Sequence, residues 1–168
     1  QLKKYKLALY ELDKAQRIDP SQASVYSNRH VAYKGLGKLK SAKNDLGIAI
    51  SMDPSLPNYY NLAVLERLSG DQQECIKLLT SILDRSPTHL PSIEQRGLCY
   101  FDANQHDLSM IDMLKVLEIN PSNLNALKQL GMSLIKKGDK LNGIKYLETA
   151  SEILLSGGNI QEYQKILD

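Results

Sequence analysis

The sequence has little bias of charge. It sets 21 basic residues against 19 acidic ones, a net charge of +2 over 168 positions. That balance excludes nucleic acid or an anionic membrane surface as the main partner. No apolar run approaches the ~18 residues that a membrane-spanning helix needs, so membrane insertion is not expected. No N-terminal apolar stretch with a cleavage site is present, so no secretory leader is expected. Cysteine is scarce as well: Cys75 and Cys99 lie far apart and match no metal-ligand spacing. Scarcity of that kind favours a reducing, cytoplasmic setting over a disulfide scaffold. Catalytic signatures are missing too, with no Gly-rich phosphate loop, no His-Glu-x-x-His and no nucleophile elbow. His30, His89 and His106 stand without ligand spacing. Neither an enzymatic activity nor a metal or cofactor is expected. With 42% apolar residues, the chain can nevertheless bury a core.

What the chain does have is a period. Proline falls at Pro20, Pro54, Pro87 and Pro121, spaced 34, 33 and 34 residues apart, each in an Asp-, Ser- or Asn-Pro-Ser/Thr context. Proline disfavours helix at the residue before it, and the polar residue after it can accept hydrogen bonds from free amides of the next helix. Each interval therefore holds a helical hairpin, helix A followed by helix B.

Helix A carries Tyr26, Tyr59, Ile93 and Leu127 near its start. Four residues on come His30, Ala63, Gly97 and Gly131, and three further Tyr33, Glu66, Tyr100 and Leu134. The i, i+4, i+7 spacing puts each set on one stripe. Helix B shows Ala42, Cys75, Ser109 and Gly143, with Leu46, Leu79, Met113 and Leu147 four later. Small residues let two helix backbones approach, and large ones fill the groove between hairpins.

These hairpins resemble the tetratricopeptide repeat, a family of stacked 34-residue helix–turn–helix units. The likeness covers Leu2 to about Leu155 and implies an all-α, right-handed superhelical solenoid. It divides one array of 168 residues into the second helix of a partial repeat (1–21), repeats at 22–55, 56–88, 89–122 and 123–156, and a capping helix or start of a further repeat (157–168). Both ends look cut from something longer. Arg29, Arg96, His30 and Glu66 depart from the family's usual residue types at their positions.

In that family helix A lines the inner, concave surface, where peptides bind. The resemblance therefore implies a protein–protein interaction module, an adaptor or scaffold, binding an extended peptide or an amphipathic helix. The implied groove comprises Asn28, Lys34, Tyr60, Asn61, Val64, Arg67, Gln95, Leu98, Phe101, Lys128, Gln129 and Met132. One position is an amide in every repeat: Asn28, Asn61, Gln95 and Gln129. An amide both donates and accepts, so a ladder of them could pair with the backbone of an extended peptide. The arrangement is similar to the asparagine ladder in the repeat region of a protein glycosyltransferase. The bland alternative is that these amides support the neighbouring repeat. Lys34, Arg67 and Lys128 would add positive charge, and Val64, Leu98, Phe101, Met132 and Ile135 an apolar strip. That strip would suit a partner helix, or be covered by the chain's own Ile160, Tyr163 and Leu167.

Tyr26-Ser27-Asn28-Arg29, followed by Ala32-Tyr33, is similar to the middle helix of the carboxylate clamp in co-chaperones. The matching cations are absent, and Pro57 and Asn61 stand where two of the partner residues belong, so a chaperone C-terminus is disfavoured. Two other roles remain open: a structural subunit contacting partners through its outer B helices, or a regulatory region of a longer enzyme or co-chaperone.

Overall fold

The computed structural model describes residues 2–157, which contain nine α-helices and no strand. The helices are α1 (Leu2–Ile18), α2 (Ala23–Gly35), α3 (Leu39–Met52), α4 (Leu56–Leu68), α5 (Gln72–Arg85), α6 (Leu90–Asp102), α7 (His106–Ile119), α8 (Leu124–Lys136) and α9 (Lys140–Ser156). The fold is an all-α helical repeat. The segment with Ile160, Tyr163 and Leu167, expected as a cap, lies outside the described residues.

Local chemistry sets the helix ends. Pro57 and Pro91 sit in the first turns of α4 and α6, where a missing N–H costs nothing because that group has no intrahelical partner. Asn123 caps α8, its side-chain oxygen accepting from the Ala126 amide at 2.8 Å. The turns from helix A to helix B each need one left-handed residue. Gly37, Gly70 and Gly138 supply it with φ of 71°, 86° and 94°, and Asn104 supplies it with φ of 59°. Asparagine is among the few other residues that tolerate that region.

The chain forms two compact units that divide between Arg85 and Ser86. In the first, α1 packs on α2, α2 on α3, α3 on α4 and α4 on α5. Ala42, Leu46 and Leu65 are fully buried at its centre, with Tyr33, Leu39 and Leu62 packed around them. Gly35 lets α1 come close, since a Cβ there would stand 2.4 Å from the Tyr5 ring. Glu66, which replaces the large residue expected at its position, is held by Lys43 of α3 at 2.8 Å. The unusual His30 is buried, and its ring Nδ1 meets the Ser27 carbonyl. Burial holds its pKa below the usual histidine value.

In the second unit α6 packs on α7, α7 on α8 and α8 on α9, and α6 also touches α8. Gly131 and Gly143 make the α8–α9 crossing: a Cβ on Gly131 would lie 2.8 Å from the Gly143 carbonyl oxygen, and one on Gly143 would lie 2.7 Å from that of Gly131. Helix α9 continues through Ser156, and Leu154 is buried. Cys75 and Cys99 are both fully buried, and neither is a free thiol. Cysteine usage therefore no longer argues for a reducing compartment.

Candidate functional site

The inner-face residues fall into one set per unit. In the first, α2 and α4 are tied by the Ser27 hydroxyl, which donates to Asn58 Oδ1 at 2.6 Å, and Asn58 Nδ2 donates to the Asp53 carbonyl at 3.1 Å. This places Asn28 and Asn61 on neighbouring A helices. In the second unit, Glu94 of α6 accepts from Asn123 Nδ2 at 3.1 Å and from Asn125 Nδ2 at 2.8 Å, joining α6 to the start of α8. Gln95 and Gln129 are thereby carried side by side. Ser27 to Asn58 and Glu94 to Asn125 both span 31 residues. Sequence reasoning missed these ties, although paired polar residues at one fixed offset were the signal.

At Asn28 and Gln95 the residue that ties repeats together is thus the one before the amide. None of Asn28, Asn61, Gln95 and Gln129 forms a side-chain hydrogen bond among the described residues. One amide nitrogen of Gln95 and one of Gln129 is buried without a partner, while the oxygen of each amide stays accessible. Rotating an amide exchanges the two atoms, so Gln95 and Gln129 each offer one outward polar atom and bury the other, while Asn28 is exposed.

The remaining groove residues differ from an open apolar strip. Met132 is exposed, but Val64, Leu98 and Phe101 are half-buried. The Phe101 ring lies 5.0 Å from the His106 ring within its own hairpin, tilted by 58°, so much of its surface is already used. Tyr60, Arg67 and Lys34 are half-buried. Lys34 and Lys128 make no ion pair among the described residues. Lys128 lines a shallow depression of about 390 Å³ with Asn120, Asn123 and Asn125.

Behind the inner face sits a second repeated feature. Arg29 grips Asp45 through two bonds, Nε–Oδ2 at 2.7 Å and Nη2–Oδ1 at 2.8 Å. Arg96 grips Asp112 identically, at 2.8 and 2.9 Å. Arg29 also reaches Asp13 of α1 at 2.9 Å and lies over the Tyr26 and Tyr33 rings. Its pKa is raised, chiefly by the hydrogen bonds to Asp45. Planar two-point pairing of this kind is available to arginine and not to lysine. The two arginines that depart from the family type are therefore satisfied by aspartates 16 residues on. The intervening repeats place Leu62 with Leu78 and Leu130 with Tyr146 at the same positions.

No group of three or more His, Cys, Asp or Glu residues that could hold a metal ion occurs among the described residues. Likewise, no helix there is long and apolar enough to cross a membrane.

Paired helices, a recurring left-handed turn residue and small residues at each crossing define a helical-repeat protein. A family model described as tetratricopeptide repeat matches residues 90–123, the span of α6 and α7. The human tetratricopeptide repeat protein 13 is 24% identical over 132 residues, which is 79% of this chain and 15% of that protein's length. Among solved structures, residues 41 to the end of MamA from Desulfovibrio magneticus RS-1 superpose with a TM-score of 0.83 at 16% identity, covering 90% of this chain and 86% of that one. YrrB, described as a TPR protein with an unusual peptide-binding site, superposes with a TM-score of 0.76 at 19% identity over 97% and 84% of the two chains. The likeness to a tetratricopeptide repeat thus spans one hairpin of this chain, and the solved structures share its helical-repeat fold.

Proposed function

We propose that the chain is a protein–protein interaction module whose A helices hold a partner's peptide, with the amide positions pairing to its backbone. The observation that supports this is the division of labour between adjacent residues. Ser27 and Glu94 bind the next repeat, so the amides that follow them are not needed for that task. They recur at every repeat, and each leaves one polar atom accessible. Lys34 and Lys128, which make no ion pair among the described residues, favour an acidic segment in the same peptide. In this reading the recognition units are residues 22–55, 56–88, 89–122 and 123–156, each contributing one rung. The peptide-binding site named for YrrB gives the reading a precedent within the fold.

Selection from a random-peptide display library against the whole chain tests it. Binders that use the ladder lose about tenfold in affinity in the Asn61→Ala plus Gln95→Ala variant, the scale of one or two lost hydrogen bonds. Circular dichroism stays unchanged because neither side chain bonds within the protein. Equal affinity for wild type and variant would remove the ladder.

A further inference from the structure

The charge of the chain is nearly balanced in total but unevenly distributed. Helix α1 carries Lys3, Lys4, Lys6, Lys14 and Arg17 against Glu11 and Asp13, a surplus that exceeds the net +2 of the whole chain. Lys3, Lys6, Tyr10, Lys14 and Arg17 recur at i, i+3, i+7, i+11 and i+14. That spacing sets four cations and a tyrosine on one stripe about 21 Å long. Leu2 and Leu7 flank the stripe, 61% and 62% exposed, and Tyr10 within it is 58% exposed.

Position in the repeat keeps that stripe outward. One period on, its places are taken by Gly37, Lys40, Asn44, Ile48 and Ser51 around α3. Helix α3 has α2 on one side and α4 on the other, yet all of these except Ile48 are exposed. The matching stripes hold one cation each: Lys40 on α3, Lys77 on α5, Lys115 on α7 and Lys145 on α9. The concentration of charge therefore belongs to α1 and not to the repeat. Lys3, Lys6 and Arg17 make no ion pair among the described residues. Lys14 meets Glu11 loosely, at 3.5 Å with both side chains half in solvent, and its ammonium sits 4.3 Å from the centre of the Tyr10 ring. Asp13, at the edge of the stripe, is taken by Arg29.

We propose that α1 lays this stripe on the surface of an anionic lipid bilayer, a second contact beside the inner face. The stripe is the ridge of a single helix, which offers no groove to a partner's side chains and matches a flat, deformable surface. Lysine ammonium groups on long stems are point charges that need no fixed partner geometry, which suits the phosphates and carboxylates of a headgroup layer. Leu2, Leu7 and the Tyr10 ring reach between those stems to the boundary of headgroups and acyl chains, where a ring with a polar tip is favoured. The opposite face of α1 stays packed on α2. Each cation adds a similar small increment, so the attachment is weak, reversible and sensitive to salt.

Co-sedimentation of the whole chain with vesicles of phosphatidylcholine alone, and of phosphatidylcholine mixed with phosphatidylserine, tests this. The chain binds the mixed vesicles and not the neutral ones, and added salt releases it. Lys3→Gln plus Lys6→Gln lowers the partition coefficient about 30-fold. Lys115→Gln plus Lys140→Gln, with the same net charge, leaves it within about twofold. Leu7→Asn plus Tyr10→Asn lowers it about tenfold. All of these side chains are exposed, so circular dichroism stays unchanged. The Asn61→Ala plus Gln95→Ala variant binds vesicles as the wild type does, which separates this contact from the inner face. Four results overturn the proposal. The first is no binding, or equal binding to both kinds of vesicle. The second is an equal loss from the two lysine pairs, which would assign the attraction to diffuse net charge. The third is undiminished binding by the Leu7 and Tyr10 variant, which would leave the apolar side chains without a role. The fourth is release by soluble polyglutamate at a carboxylate concentration equal to that of the lipid, which would assign the stripe to an acidic protein segment.

Discussion

In the first unit, Arg29 reaches from α2 to Asp45 on α3 and to Asp13 on α1. In the last hairpin of the second unit, Leu130 and Tyr146 occupy the corresponding places, and the helices α7 and α9 present Leu108, Ile111, Leu114, Leu141 and Ile144 to solvent. The same backbone plan thus carries a charged pair at one hairpin and an apolar pair at the other, with a surface depression beside each. The lesson is about what fixes a repeat in place. A buried arginine–aspartate pair adds geometric constraint at a desolvation cost, whereas apolar residues pack without directional demands and leave surface to spare.

The largest expected effect comes from breaking that contrast at Arg29. Arg29→Leu leaves Asp45 buried without its partner and costs about 3–5 kcal/mol in urea unfolding. Adding Asp45→Leu copies the Leu62–Leu78 arrangement of the next repeat and restores most of that stability. A double variant no better than the single one would show that the pair is not the unit of stabilisation.

A smaller effect follows from the helix crossings. The second unit seats Gly131 over Gly143. Gly131→Ala drives a methyl to 2.8 Å from a backbone oxygen, which the neighbour cannot avoid by changing rotamer. It lowers stability by about 1–3 kcal/mol. Gly47→Ala, on the open side of α3 with nothing within 4 Å of the added carbon, raises stability by up to about 1 kcal/mol. Thermal melts of the two variants moving in the same direction would contradict the packing argument.

The smallest effect is confined to the first unit and depends on pH. His30 has a folded-state pKa below its ordinary value of 6.5 because burial disfavours the imidazolium, with Lys34 adding to this and the Ser27 carbonyl and Asp45 opposing it. Its contribution is therefore fully present above pH 6.5 and is lost as pH falls from there through the folded pKa. Denaturation midpoints compared at neutral and mildly acidic pH drop less for His30→Ala than for wild type. An equal drop in both would assign the acid sensitivity to other groups.

Much of the fold was legible in the sequence. Pro20, Pro54, Pro87 and Pro121 gave the period, and the small residues at helix crossings gave the pairing, because both act through local backbone geometry. Gly131 with Gly143 behaves as its spacing implied. The inner face was legible less completely. The amide positions could be read from recurrence, but Phe101 could not be seen to spend its surface on His106, nor Leu98 and Val64 to be half covered. Those outcomes depend on rotamers and neighbours that no spacing specifies. Arg29 and Arg96 stood out only as departures from type, and their partners became evident once α2 lay against α3 and α6 against α7.

The sequence by itself determined that this chain is a row of helical hairpins, where each begins and ends, and which stripe of each helix is buried. Proline, left-handed turn residues and 3.6-residue periodicity act within one element, so their consequences are written locally. Only the tertiary structure decided which polar residues are consumed as ties between repeats and which amides are left without a bond. Those depend on side chains 16 or 31 residues apart meeting at hydrogen-bond distance, and that meeting exists only after the helices have packed.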